Sequence, residues 1–388
     1  MRLKRVEDQV VVITGATSGI GLVTARMAAA RGAGVVLAAR DGDALGKVER
    51  EIAQAGGNAV PVAADVANEG DMRRVADAAI RRFGRFDTWV NNAGVSIYGR
   101  IAEVPIEDQR RLFETNYWGV VIGSRIAVEH LRRRGGALIN IGSVLSDQAF
   151  PLQGPYSASK HAVKGFTDAL RMELEEEGAP VSVTLVKPAA IDTMFEEHAR
   201  NYLEVEPQNP PPVYAPELVA EAILHAAEHR VRDLVVGGGG KAMSMMGRFA
   251  PRLGDRVMER TMVRLQRTDR SAGDRADGLY GASGADGRES AGRHGYVRRH
   301  SFYTRSAMHP LATMAVVAGL GALAAALARG GPHRIGAGPA GPAGRADGGT
   351  GYPAAADVLG HGGPPVGVLG VQGPDDPLED RYGAGAME

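Results

Sequence analysis

Short apolar runs alternate with stretches of helical period through the first half of this chain, and that alternation constrains its fold more than any other feature. Runs at 10–14, 35–39, 59–63, 88–91, 137–141 and 181–186 read as strands, and a last one falls at 234–236. Stretches near 19–31, 43–55, 69–83, 106–133, 156–177 and 216–228 separate them and read as helices. Several of the runs are apolar almost throughout, as strands are when helices cover both faces of their sheet. Repeated strand–helix–strand units connect through right-handed crossovers. The expected architecture is therefore α/β, a doubly wound parallel sheet in a single domain.

The character of the sequence changes near residue 267. Residues 6–268 suffice for one large hydrophobic core and read as the single folded domain. Residues 269–305 are rich in Gly, Arg and Asp without periodicity and read as a polar linker. Residues 330–388 are rich in Gly and Pro and read as a tail with no fold. Between these two, 306–329 is apolar, and its stretch 311–328 carries no charge. That stretch is at the lower length limit for a membrane span and rich in Ala and Gly, so weak membrane association through it is expected. Within 241–266, Met243, Met246, Phe249, Leu253, Val257 and Leu265 recur at roughly helical spacing. They read as one helix packing its Met-rich side on the domain or a sister subunit, with a membrane-surface helix as the alternative.

Composition removes several classes of function. Lys plus Arg and Asp plus Glu are both 45, so charge gives no reason to expect nucleic acid. The absence of cysteine excludes disulfides, thiol nucleophiles and thiolate metal sites, and no metal is expected. Glu7 and Asp8 stand where a secretory signal needs its apolar stretch. A cytoplasmic domain is expected, membrane-associated only through the C-terminal apolar segment.

Thr14, Gly15, Thr17, Ser18, Gly19, Ile20 and Gly21 fall in the turn from the first strand into the first helix. Glycines there let the backbone turn tightly and approach a pyrophosphate, and the helix N-terminus offers unpaired N–H groups. An acidic residue at the end of the second strand would bind both ribose hydroxyls of NAD. Ala39 occupies that place and Arg40 follows it, with Asp41 just beyond. A guanidinium pairs with the extra phosphate of NADP through two hydrogen bonds, so NADP(H) is the expected cofactor.

Taken in order, the motifs resemble those of the short-chain dehydrogenase/reductases, in their compact single-domain form, from about residue 9 to 237. The likeness is carried by the Thr-Gly-x-x-x-Gly-x-Gly spacing from Thr14 to Gly21 and by Asn91-Asn92-Ala93-Gly94 after the fourth strand. It is carried further by Asp65-Val66, Asn116, Ser143 and the Tyr156-x-x-x-Lys160 pair. The resemblance implies a Rossmann fold, with Asn116, Ser143, Tyr156 and Lys160 as catalytic residues. It also implies cofactor contacts from the glycine turn, Asp65, Val66, Asn92, Ala93, Gly94, Tyr156, Lys160, Pro188 and Thr193. Asn116 would position a water linking Lys160 to solvent. Chemistry supplies its own reason for the Tyr–Lys pair: a tyrosine hydroxyl with its ordinary pKa near 10 is a poor base, and a nearby ammonium lowers that pKa. Four residues apart on a helix, the two side chains share a face. The likeness breaks at Pro188-Ala189, where the family has Pro-Gly. A positive φ there would strain alanine; otherwise the loop is rearranged.

Val144, Leu145, Phe150 and Leu152 precede Tyr156, and Met194, Phe195, Tyr202 and Leu203 follow the sixth strand. In the expected fold both segments flank the pocket, which suggests a lipophilic ketone, aldehyde or alcohol as substrate. Arg200 or His198 is a candidate to meet a substrate anion. The expected activity is NADP(H)-dependent interconversion of a carbonyl and an alcohol, against two alternatives: a non-catalytic NADP(H)-binding sensor and a membrane-tethered scaffold. Helices near 106–133 and 156–177 are expected to pair across a twofold axis, giving a homodimer or homotetramer.

Overall fold

All five residues of Val10–Thr14 (β1) are buried, which demands cover on both faces of the sheet. Its neighbours in chain order are Gly34–Ala39 (β2), Asn58–Ala63 (β3), Thr88–Asn91 (β4), Gly136–Ile141 (β5), Val181–Pro188 (β6) and Asp233–Val236 (β7). Every pairing is parallel, and the spatial order is β7-β6-β5-β4-β1-β2-β3. The computed structural model describes residues 2–329 other than 274, 275, 283, 285 and 286. The chain thus folds as a Rossmann-like sheet whose strand order reverses between β1 and β4. At such a switch point the carboxyl ends of the strands leave a crevice.

One face is covered by α1 (Gly19–Ala30) and α2 (Gly42–Gln54) with the later helix Pro216–Glu228. The other is covered by α3 (Glu69–Phe83), whose ends are fixed by two local devices. Asn68 accepts a hydrogen bond from Asp71 N–H at its start, and Gly84, at φ 74°, closes it in the left-handed conformation. The helical stretch near 106–133 is two helices, α4 (Ile106–Phe113) and α5 (Gly119–Arg134), joined by a π-helical turn at Glu114–Trp118. Such turns recur at functional sites, and Asn116 lies in this one. The long helix α6 (Gly154–Glu176) completes the layer, and Pro216–Glu228 is α7.

The single helix expected over 241–266 is α8 (Gly238–Phe249) followed by α9 (Pro251–Leu265). Pro251 cannot continue the first helix, so the axis breaks at Ala250. Of the expected stripe, Met243, Met246, Val257 and Leu265 pack partly buried on the domain, whereas Phe249 and Leu253 are exposed; Met258 and Met262, outside that stripe, are buried. The stretch 269–305, expected to be a linker, packs on the domain at its described residues. Arg267–Ser271 pairs with Val205–Pro207, Val297–Arg298 pairs with Val213–Tyr214, and Leu279 is fully buried. Its contacts are made mostly by backbone groups and ion pairs, which leave no hydrophobic period to read.

The chain continues through α10 (Phe302–Met308), where Thr304 accepts a hydrogen bond from Gly237 N–H, into α11 (Pro310–Arg329). The membrane association expected through 311–328, and the localisation drawn from it, are overturned. Among the described residues no helix is long and apolar enough to cross a membrane. Ten of the eighteen residues at 311–328 are Ala or Gly, which contribute little to insertion. The Gly/Pro-rich stretch 330–388 lies outside the described residues.

Candidate active site

A cavity of about 260 Å³ opens at the carboxyl ends of the strands. Gly15, Thr17, Ser18, Gly19 and Ile20 form one wall, with Arg40, Asp65 and Val66 beyond them. Asn92, Ala93 and Gly94 line the middle, and Ser143, Tyr156, Lys160, Pro188 and Thr193 the far end. Of the expected site residues, Thr14, Gly21 and Asn116 lie behind this surface.

Thr14 and Gly21 act on the shape of the wall. The Thr14 hydroxyl accepts from the N–H groups of Asn92 at 3.0 Å and Ala93 at 3.1 Å, tying the end of β1 to the end of β4. Asn92 Nδ2 returns a hydrogen bond to the Thr14 carbonyl at 2.9 Å. A Cβ on Gly21 would stand 2.0 Å from the Gly15 carbonyl oxygen, so only glycine lets α1 approach the turn. Gly19 has φ 49°, and a Cβ there would meet Thr193 at 3.0 Å. This cradle, a helix N-terminus with side-chain-free backbone facing a cavity, fits a dinucleotide pyrophosphate.

Arg40 Nη2 donates to the Gly278 carbonyl at 2.6 Å. Asp41, the acidic neighbour of Arg40, caps α2 with its carboxylate, which accepts from Ala44 N–H at 3.0 Å. Asp65 accepts from Ala67 N–H at 3.0 Å and pairs with Arg111 at 2.6 Å.

At the far end, Tyr156 and Lys160 come from the first two turns of α6, and Ser143 follows β5. Ser143 Oγ accepts from Leu145 N–H at 3.1 Å, which fixes it at the start of the turn Val144–Ser146. Burial pushes the Tyr156 phenol above its ordinary value, and a hydrogen bond with Ser143 opposes that rise only in part. The lowering expected from a neighbouring ammonium is not what the chain alone produces. Lys160 Nζ stands 5.7 Å from the Tyr156 ring centroid and donates to the Ile141 carbonyl at 2.8 Å. Its own pKa falls to about 8 through burial.

Asn116 faces the backbone. Its Oδ1 accepts from Val95 N–H at 2.8 Å, and its Nδ2 donates to the Val95 carbonyl at 2.9 Å and to Ser159 at 3.2 Å. It therefore pins the segment after Gly94 against α6. The feared strain at Ala189 is absent: among the described residues Leu152 alone of the non-glycines has positive φ, at 65°. Leu152 sits just before α6, where strained backbone is commonly stored for function.

Asp147, four residues past Ser143, braces the same wall between Lys187 at 2.9 Å and Lys164. Burial raises its carboxyl, but the two ammonium groups outweigh burial and hold it down at about 2. A depressed carboxylate stabilises the fold above its unfolded pKa of 3.8 and loses that contribution as pH falls toward about 2. Asp147→Asn is expected to cost ~2 kcal/mol at neutral pH. Urea denaturation should show the gap to the unaltered protein closing as pH falls from about 5 toward 2; a gap independent of pH would refute this account.

Val144, Leu145, Phe150, Met194 and Phe195 line the cavity as expected, while Leu152, Tyr202 and Leu203 do not. Phe195 meets the Tyr156 ring edge-on at 5.4 Å. Tyr202 donates to Asp108, and Arg200 pairs with Asp277 at 2.5 Å and Asp108 at 3.3 Å; His198 lines the cavity. Among the wall residues that the sequence reading did not place here are Met243 from α8 and Met262 from α9. Met243 belongs to the helical spacing noted over 241–266, but nothing in that spacing distinguished a cavity wall from ordinary packing.

A glycine turn suited to a pyrophosphate thus shares one cavity with the buried Ser143, Tyr156 and Lys160. Residues 9–203 match the short chain dehydrogenase family, and the chain belongs to it. It is 49% identical over 329 residues to the uncharacterized oxidoreductase YxnA of Bacillus subtilis, covering 84% of this chain and 92% of that one. It is 33% identical to dehydrogenase/reductase SDR family member 7B of Bos taurus, over 65% of this chain and 81% of that one. Among solved structures it resembles an alcohol dehydrogenase from Thermococcus sibiricus complexed with 5-hydroxy-NADP, at TM-score 0.52 and 28% identity, over 58% of this chain and 95% of that one. A short chain dehydrogenase/reductase from Burkholderia phymatum in complex with NAD gives TM-score 0.58 at 27% identity, over 65% and 96%. Membership carries general NAD(P)-dependent dehydrogenase/reductase activity with it.

Proposed function

We propose that the chain, through a catalytic domain at 6–268, interconverts a lipophilic ketone or aldehyde and the corresponding alcohol with NADP(H). The observation that carries this reading is that Ser143, Tyr156 and Lys160 face, beside an apolar wall, the same cavity as the glycine turn. The cofactor, when bound, supplies or takes the hydride. In the reductive direction Tyr156 donates its phenolic proton to the carbonyl oxygen, and the raised pKa keeps that proton in place at neutral pH. Ser143 holds the same oxygen. Lys160 holds the nicotinamide ribose and supplies charge near Tyr156. Asn116 fixes the Val95 backbone and α6, which positions Lys160 and Tyr156. Phe150, Leu145, Phe195, Met243 and Met262 exclude water and favour an apolar substrate.

The preference for NADP(H) rests on Arg40, since the solved relatives carry both NAD and an NADP derivative. A charge-assisted contact is worth roughly 1.5–3 kcal/mol, or about ten- to a hundredfold in specificity. Following the oxidation of NADPH and NADH by the full chain against a panel of carbonyl compounds tests the reading. NADPH should be favoured, and Ala39→Asp with Arg40→Leu should erase or invert the preference. Equal efficiency with both cofactors in the unaltered protein would overturn it.

We also propose pairing of α4–α5 and α6 across a twofold axis. Ile106, Trp118 and Met172 on these elements are large apolar residues left exposed. Light scattering of the full chain at micromolar concentration should give a dimer or tetramer; monomer alone would refute the pairing.

A further inference from the structure

Residues 276–282 and 287–298 run over the cofactor end of the cavity, where Gly278 and Ala282 line it. We propose that they form a strap that competes with the cofactor, occupying its phosphate-binding donors in the free protein and leaving them when it binds.

The argument begins with two donors. Gly19 N–H, at the first residue of α1, is the kind of group a pyrophosphate engages, and it donates to the Arg288 carbonyl at 3.0 Å. The Arg40 guanidinium, the candidate partner of the additional NADP phosphate, donates through Nη2 to the Gly278 carbonyl at 2.6 Å. Gly287 N–H closes the strap on the same turn by donating to the Thr17 carbonyl at 2.7 Å. An N–H aimed at a carbonyl is not aimed at a phosphate, so strap and dinucleotide exclude one another at these atoms.

The strap is fastened outside the cavity. Glu289 pairs with Arg26 at 2.5 Å, and Arg293 pairs with Glu197 at 3.1 Å and Glu206 at 3.2 Å. Tyr280 donates to Asp108 at 2.7 Å, and Leu279 is fully buried beside Arg111, whose Nε donates to its carbonyl. Partly exposed ion pairs are individually weak. A tightly bound anionic ligand can therefore open such a fastening while the rest of the domain stays folded. The Gly19 half of the competition is common to NAD(H) and NADP(H), and only the Arg40 half rests on the cofactor preference proposed above.

The test compares the full chain with its Tyr280→Phe/Glu289→Gln/Arg293→Gln variant, which alters three fastenings and no cavity wall. Fluorescence titration and stopped-flow mixing give affinity and association rate for NADPH and for NADH. Loosening the strap should tighten binding about fivefold, the order expected from losing three exposed anchors, through faster association. In the unaltered protein, amide exchange across 276–298 should accelerate when cofactor saturates the site. Unchanged affinity for both cofactors overturns the proposal. Weaker binding by the variant, or slower exchange on saturation, also overturns it, because the strap would then clamp bound cofactor. If both proteins prefer NADH, the cofactor preference fails, and the strap is judged on the NADH ratio between them.

Discussion

Tyr156→Phe is expected to lower turnover at least about a hundredfold, since general acid–base catalysis contributes about 10²–10⁴. The substitution removes one oxygen. The ring keeps its edge contact with Phe195 and its place at the start of α6. What disappears is the phenolic proton and the hydrogen bond with Ser143. Cofactor affinity should barely move, because the ring is a wall of the cavity and Lys160 the proposed ribose anchor. Ser143→Ala should slow turnover more gently, leaving the proton donor but loosening the grip on the carbonyl oxygen. A folded, cofactor-binding Tyr156→Phe protein that reduces a confirmed substrate near the unaltered rate would remove Tyr156 from the chemistry.

The sheet was legible because its signal is local. Val10–Thr14 and Gly34–Ala39 are largely apolar runs of strand length, and α1, α2 and α3 lie between the first four strands. The glycine turn was legible for a related reason: Gly21 answers to a clash at 2.0 Å, and such a constraint leaves only one residue type. Ser143, Tyr156 and Lys160 could be singled out by their order and spacing, and the fold brings them into one cavity.

What stayed hidden depends on distant parts of the chain. Asn116 looks the same in sequence whatever its side chain meets, and the fold sets that side chain against the Val95 backbone and Ser159. Pro188-Ala189 suggested strain because family likeness said glycine, yet the loop keeps φ negative there. The strap was the largest omission. Its contacts use carbonyls at Gly278 and Arg288 and charges at Glu289 and Arg293, none of which leaves a period in the sequence. The break between α8 and α9 was available from Pro251, but the run of apolar residues across it argued for one helix.

Lys160→Met is expected to reduce turnover at least about a hundredfold and, unlike the tyrosine change, to weaken cofactor binding and raise stability at neutral pH. The ammonium is buried and donates to the Ile141 carbonyl at 2.8 Å. Burial brings its pKa from 10.5 to about 8. Between those values the unfolded chain binds a proton that the folded chain does not, so folding stability rises with pH there. Below about 8 both states are protonated and the folded state bears the whole desolvation cost, ~3 kcal/mol by linkage. Methionine of similar length removes that cost, against about 1–2 kcal/mol for leaving the Ile141 carbonyl without its donor. A net gain of roughly 1–2 kcal/mol is expected at pH 7, shrinking as pH climbs toward 10. Lys160→Arg should not restore activity, since a planar guanidinium does not fit a site shaped for a compact ammonium. Thermal and urea denaturation across that pH range, with cofactor titration, read both effects. A Lys160→Met protein that is less stable at pH 7 and binds cofactor as before would show that Lys160 serves the fold rather than the site.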